Sequence, residues 1–200
     1  MAITIKDIKD YYQLLQSKLK SDQPDFEYNK DRCHNSTVLR LMLDESKDIY
    51  MFCGELSVLR QPFYDYITES EGKQVSEMLV KSICDSFKSF VQDEDHQINI
   101  ILESYNDDVF KDLICSESFF EGIDKSIIHI FSLSDKIDFK NELSHFSVSN
   151  RKIVRLEKDK IDHNALCSFN NDLIFDMAKN TFFKIKSMAK PIIDPVFELV

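Results

Sequence analysis

Apolar side chains recur along the chain in two rhythms, a helical spacing of three to four residues and short unbroken runs, and the two alternate. Residues 4–19 place Ile5, Ile8, Tyr12, Leu15 and Leu19 at helical spacing. Residues 20–35 are polar and contain Pro24, which reads as a connecting loop. Ser36 and Thr37 then read as the cap of a helix reaching Ser46, with Val38, Leu39, Met42 and Leu43 as its apolar stripe. Three short apolar runs follow as strands, at 48–53, 97–102 and 126–131. Between the first two runs, Pro62 opens one helix, and a longer one spans 73–91 with Val75, Leu79, Ile83, Phe87 and Phe90 recurring. Between the second and third, Asp107 and Asp108 start a helix carrying Val109, Leu113 and Ile114.

The last third changes character. Residues 144–149 and 152–156 are strand-like and flank Asn150-Arg151, the pattern of a hairpin. Ala165–Phe169 is a further short run. A helix over 172–188 is expected to turn Leu173, Ile174, Met177, Phe182 and Phe183 inward and to stop at Pro191 and Pro195. Strands alternating with helices imply βαβ units with right-handed crossovers. The fold class expected is therefore α/β, with a mixed, largely parallel central sheet flanked by helices. Residues 1–35 form an N-terminal helix and loop, and 36–200 form the α/β domain.

Composition narrows this picture. Sixteen Phe, seven Tyr and no Trp suggest a core of Phe, Ile and Leu, and three Gly with four Pro argue against a loop-rich sandwich. A formal net charge of −10 opposes broad coating of nucleic acid, while leaving room for a local basic site. Cys33, Cys53, Cys84, Cys115 and Cys167 are odd in number and form no CxxC pair, so free thiols in a reducing cytosol are expected, without metal or cofactor. The first residues carry charges where a signal peptide needs its apolar run, and no stretch approaches the roughly 20 apolar residues of a membrane span. A cytoplasmic protein with no membrane partner is expected. No Gly-rich phosphate loop, G-x-S-x-G elbow or H-E-x-x-H occurs, and Gly54, Gly72 and Gly122 alone cannot build a dinucleotide or P-loop site.

Candidate chemistry gathers late in the chain. His145 opens one strand, Ser168 and Asn170 close another, and Arg151, Lys152 and Arg155 lie between them. An imidazole nucleophile with hydroxyl, amide and cationic donors could bind and attack a phosphodiester. Plainer readings stand beside this one. His145 serves equally as a hydrogen-bonded structural residue, Ser168 and Asn170 as caps, and Arg151 and Lys152 as a solvated hairpin tip. Glu55, after Gly54, stands on the usual ligand side of an α/β sheet but without a visible partner. His129 reads as a core residue, and His34, His96 and His163 fall in polar loops.

On His145-Phe146-Ser147 and Cys167-Ser168-Phe169-Asn170 the chain resembles the phospholipase D superfamily, whose strands read His-x-Lys and then Gly-Ser-x-Asn. The resemblance spans about 36–190 and implies a single phospholipase D-like repeat, with His145 as the catalytic nucleophile and Ser168, Asn170, Arg151 and Lys152 as phosphate-binding residues. Ser147 replaces the Lys and Cys167 the Gly. Without that fixed positive charge, the rate falls on the order of 10²–10³. The resemblance thus implies a catalytically degenerate binding or assembly module, in a microbial or phage setting such as antiviral defence. A protein partner or a second copy would be its partner, with nucleic acid reaching a local basic site. A homodimeric phosphodiesterase or nuclease using His145 is the alternative, and an adaptor without a phosphate site is a third reading.

Overall fold

The computed structural model describes residues 2–21, 23–105, 107–133, 143–158 and 164–192. His163 and Pro195 lie outside these residues. Helix α1 (Ile5–Lys20) starts where Thr4 and Asp7 form a reciprocal capping box. The segment read as a loop is instead built into the sheet as β1 (Asp25–Asn29). Helix α2 (Arg32–Glu45) begins earlier than expected because the Asp31 carboxylate accepts the His34 amide. Ser36 and Thr37 are therefore helix-interior residues, the first bonded to the Tyr64 hydroxyl and the second to the Cys33 carbonyl. The division at residue 35 falls within α2, and α1 packs into the main core through Tyr11, Leu15 and Leu19.

Strands β2 (Asp48–Cys53), β3 (Gln97–Leu102) and β4 (Ile128–Ser132) pair in parallel, joined through helices as their spacing predicts. Helices α3 (Gln61–Glu71) and α4 (Lys73–Phe90) occupy the first crossover. In the second, the expected helix is only a 3₁₀ turn at Asp107–Phe110, and the α-helix, α5 (Ser116–Asp124), lies further on. Residues 112–114 are taken up by pairing with 59–61, through Gln61 N–H to Asp112 O and Ile114 N–H to Leu59 O.

Strands β5 (Phe146–Ser149), β6 (Ile153–Glu157) and β7 (Ala165–Phe169) form an antiparallel meander, and β1 adds antiparallel to β7. Lys18 of α1 ties itself to β1, donating to the Phe26 carbonyl and pairing with Asp25 and Glu27. After α6 (Asp172–Lys186), a two-residue strand β8 (Lys190–Pro191) pairs antiparallel with β4. The order is β1-β7-β6-β5-β2-β3-β4-β8, so the sheet is mostly antiparallel where a largely parallel one is expected. Three residues between β5 and β6 allow only an antiparallel return, because a parallel one needs a crossover of a dozen or more residues.

The two sheet faces are unequally covered. Helices α1–α5 pack on one face, against Ile49, Ile98, Ile100, Ile153 and Cys167. Among the described residues α6 is the one helix on the other face, burying Phe182 and Ile185 against Phe52, Ile101, Phe146 and Val154. Leu173, Met177 and Phe183, expected to point inward, are 70%, 62% and 44% exposed. Periodicity predicts the helix, but among the described residues no second helix lies beside it to receive its flanks. No helix among the described residues is long and apolar enough to cross a membrane.

Candidate functional site

His145 stands just before β5, at the same end of the sheet as the C-terminal end of β2. The register of the β5–β6 hairpin pairs Phe146 with Leu156, which brings Glu157 opposite His145, and the Glu157 amide donates to the His145 carbonyl. Across the ring, Glu103 follows β3 and is held by its amide to the Cys53 carbonyl. Both imidazole nitrogens are engaged, Nδ1 with Glu157 at 2.9 Å and Nε2 with Glu103 at 3.2 Å. Gly54 makes room: a Cβ there would lie 3.0 Å from His145 Cε1 and 3.2 Å from Nε2.

The contacts continue inward. Glu157 also pairs with Arg155 Nη2 at 3.5 Å. Arg155 Nε donates to Asn35 Oδ1, which also accepts from the Asn29 amide, and Asn29 Oδ1 accepts the Tyr11 hydroxyl. One polar chain thus runs from α1 to the end of β3. Burial and the charges of Glu157 and Glu103 push the Cys53 thiol up to about 12. Ser147 is buried and pairs across the sheet with Arg155. A cation therefore stands across from Ser147, but its guanidinium is committed to Asn35 and Glu157. The cleft bounded by His145, Glu55, Ser57 and Asn35 has a cavity volume of about 70 Å³. Small-molecule sites usually occupy roughly 300–1,000 Å³.

The other expected site residues lie elsewhere. Asn170 neighbours Lys152 at the hairpin tip, its amide donating to the Lys152 carbonyl. His145 is at the opposite end of these strands, roughly 16 Å away along the strand direction. The Asn170 side chain donates to the carbonyls of Lys18, Leu19 and Ser21, closing the end of α1. Asn171, and not Asn170, caps α6 by accepting the Ile174 amide. Lys152 pairs with Asp172, and Arg151 is exposed on the turn. Ser168 is 2% exposed, and its hydroxyl has no hydrogen-bond partner among the described residues. The structure therefore does not bring His145 together with Ser168, Asn170, Arg151 and Lys152. Glu55 does have a partner, Arg60 at 2.9 Å. His34, in the first turn of α2, pairs with the N-cap residue Asp31, and His129 is half-buried on β4.

Glu103, Glu157 and Asn35 were not singled out from sequence, although the hairpin carried a signal for one of them. A turn centred on Asn150–Lys152 fixes the residue opposite His145 as Glu157. Ser168 instead lines an apolar groove of about 270 Å³ with Leu156, Leu166, Ile174 and Met177. Among the described residues no group of three or more His, Cys, Asp or Glu could hold a metal ion.

No protein-family model matches the chain, and no curated protein does. Among solved structures it is similar to Nuc of Salmonella typhimurium, a phospholipase D family member, with a TM-score of 0.52 over 86% of this chain and 100% of that one. The fold resembles that of a phospholipase D family structure. At 10% identity the likeness concerns the fold alone. A second similar structure is TrmBL2, an archaeal chromatin protein described as showing a novel mode of DNA binding. That match has a TM-score of 0.52 and 11% identity, covering 94% of this chain and 62% of TrmBL2. The chain thus spans about three-fifths of the TrmBL2 chain.

Proposed function

We propose that the chain is a catalytically degenerate phospholipase D-like domain that serves as a protein-binding or assembly module. The observation that carries this reading is the His145 ring held between Glu103 and Glu157. A nucleophilic imidazole needs a free nitrogen lone pair aimed at phosphorus. Here each nitrogen faces a carboxylate, and an approaching phosphate meets two negative charges. Arg155, the cation nearest the ring, is already paired with Glu157, and Arg151 and Lys152 stand at the far end of these strands. Binding surface is available instead on the α6 side. Phe26, Tyr28, Leu156, Leu173 and Met177 are exposed there around the apolar groove. Patches of this kind mark interaction sites, and a second copy of the chain is the first partner to test.

The test has two arms. Purified protein is incubated with bis-p-nitrophenyl phosphate and with single- and double-stranded DNA and RNA, beside His145→Ala. No turnover above buffer is expected from either protein. Turnover that disappears in His145→Ala would overturn the degenerate reading and leave a phosphodiesterase. In the second arm, sedimentation velocity is run on the protein and on the Leu173→Glu/Met177→Glu variant. A larger species that the double variant disperses supports self-assembly. A monomer in both shifts the docking surface to a different protein partner.

A further inference from the structure

Cys84 and Cys115 are 31 positions apart in sequence, and their sulfurs lie 2.6 Å from each other. That separation is roughly half an ångström beyond a covalent S–S bond. Cys84 sits half-buried on α4, open to a small oxidant, whereas Cys115, the N-cap residue of α5, is buried. Both thiols are free. Cys84 Sγ also lies 3.2 Å from the Ile114 carbonyl, which fixes it against the chain leading to its partner. The two sulfurs are not equivalent. The hydrogen bond from Cys115 lowers the Cys84 thiol below its ordinary range, while the same contact, together with burial, raises the Cys115 thiol. The remaining cysteines differ from both: chiefly burial pushes the thiols of Cys33, Cys53 and Cys167 up to about 12.

We propose that Cys84 and Cys115 are a reactive dithiol that hydroperoxides oxidise to a reversible disulfide, with Cys84 as the attacking sulfur and Cys115 as the resolving one. The Cys84 thiolate attacks the terminal oxygen of ROOH. The O–O bond breaks, RO⁻ takes a proton and leaves as ROH, and Cys84 becomes a sulfenic acid. The Cys115 sulfur then attacks the Cys84 sulfur. An S–S bond forms, the S–O bond breaks, and hydroxide departs as water with the Cys115 proton. In sum, the two thiols give up two electrons and two protons, and the hydroperoxide is reduced to ROH and water. A thiol reductant reverses the change by exchange. The bond would join α4 to the start of α5 across the segment that begins at Glu103. That segment is already fastened to residues 59–61, beside the cleft wall at Leu56–Val58. Oxidation would therefore tether the far end of the piece of chain whose near end presents Glu103 to His145.

The full chain is exposed to a small excess of hydrogen peroxide, blocked with iodoacetamide, and read by intact mass and by non-reducing peptide mapping. The expected product is lighter by about two daltons before alkylation, joins the Cys84 and Cys115 peptides, and returns to the dithiol with dithiothreitol. Cys33, Cys53 and Cys167 should remain alkylatable after unfolding. Cys115→Ser should instead accumulate a sulfenic acid at Cys84, trapped by dimedone, and Cys84→Ser should give neither product. Five alkylatable thiols after treatment, or a disulfide joining any other pair, would overturn the proposal. A dimedone adduct at Cys115 in Cys84→Ser would overturn the assignment of roles. If a serine variant fails to give a folded far-ultraviolet dichroism spectrum, the peptide map of the unsubstituted chain decides alone.

Discussion

The backbone of Asn170 is left-handed, at φ 54°, and its side-chain amide donates to three carbonyls at the end of α1. Asn tolerates this conformation better than most residues, and the three acceptors would otherwise be left without that donor. Asn170→Ala is expected to lower stability by roughly 1–3 kcal/mol in urea unfolding, and Asn170→Gly to recover only the backbone part. Equal midpoints for the protein and Asn170→Ala would contradict that role. His129 shows a second residue-scale effect. Burial, and then the charge of Lys186, hold its imidazole below the ordinary value of 6.5. The folded state thus binds a proton less readily than the unfolded chain. The stability this gives is present above pH 6.5 and lost as pH falls through the folded value. In His129→Phe, the fall in Tm between about pH 7 and 5 should be shallower, though not absent, because His34 is lowered in the same direction by burial. An unchanged slope would count against it.

Among the elements, hairpin β5–β6 and helix α6 differ in how much of their geometry the sequence made legible. The hairpin was readable as strands around Asn150-Arg151, and its three-residue turn closes with Lys152 at φ 57°, a common form for such loops. Its register then determines that Glu157 meets His145, an inference available from the chain alone. Ser168 and Asn170 misled because they form a motif in sequence order, whereas β7 is an extra antiparallel strand that carries them to the other end of the sheet. Helix α6 was readable as amphipathic, but amphipathicity does not say how wide a surface the helix must cover. Phe182 is buried against the sheet, whereas Leu173 and Met177 are largely exposed. Leu173→Glu and Met177→Glu should therefore shift the unfolding free energy by less than about 0.5 kcal/mol, while Phe182→Ala costs about 3–5 kcal/mol. A large loss from either glutamate would mean that these side chains are covered in solution.

At the scale of the whole molecule, the parallel trio β2, β3 and β4 was legible because each crossover leaves a long helical pattern between two apolar runs. The antiparallel half was less so. In β1, Phe26 and Tyr28 alternate with Asp25, Glu27 and Asn29, a period-two pattern hidden by its polarity and by the adjacent Pro24. Polar β1 suits its place at the margin, where one face is exposed. The polar chain from Tyr11 to Glu103 could not be read from sequence, since it joins residues of α1, β1, α2, β6 and the end of β3 that only the sheet order brings together.

The contact of Lys18 with β1 has a consequence for how copies of this molecule can meet. A sheet that ends in bare amides and carbonyls is a template on which another strand can add, and chains that allow this aggregate. Here one margin carries an ammonium group seated on Phe26 O between two carboxylates. The other margin ends in two residues, the second a proline that offers no N–H. The ammonium group and the proline each remove positions on which a neighbour's strand could add, which disfavours a fibre built by strand addition. The proposed self-association would instead run face to face, across the half-covered side of the sheet, where it can close on itself and stop.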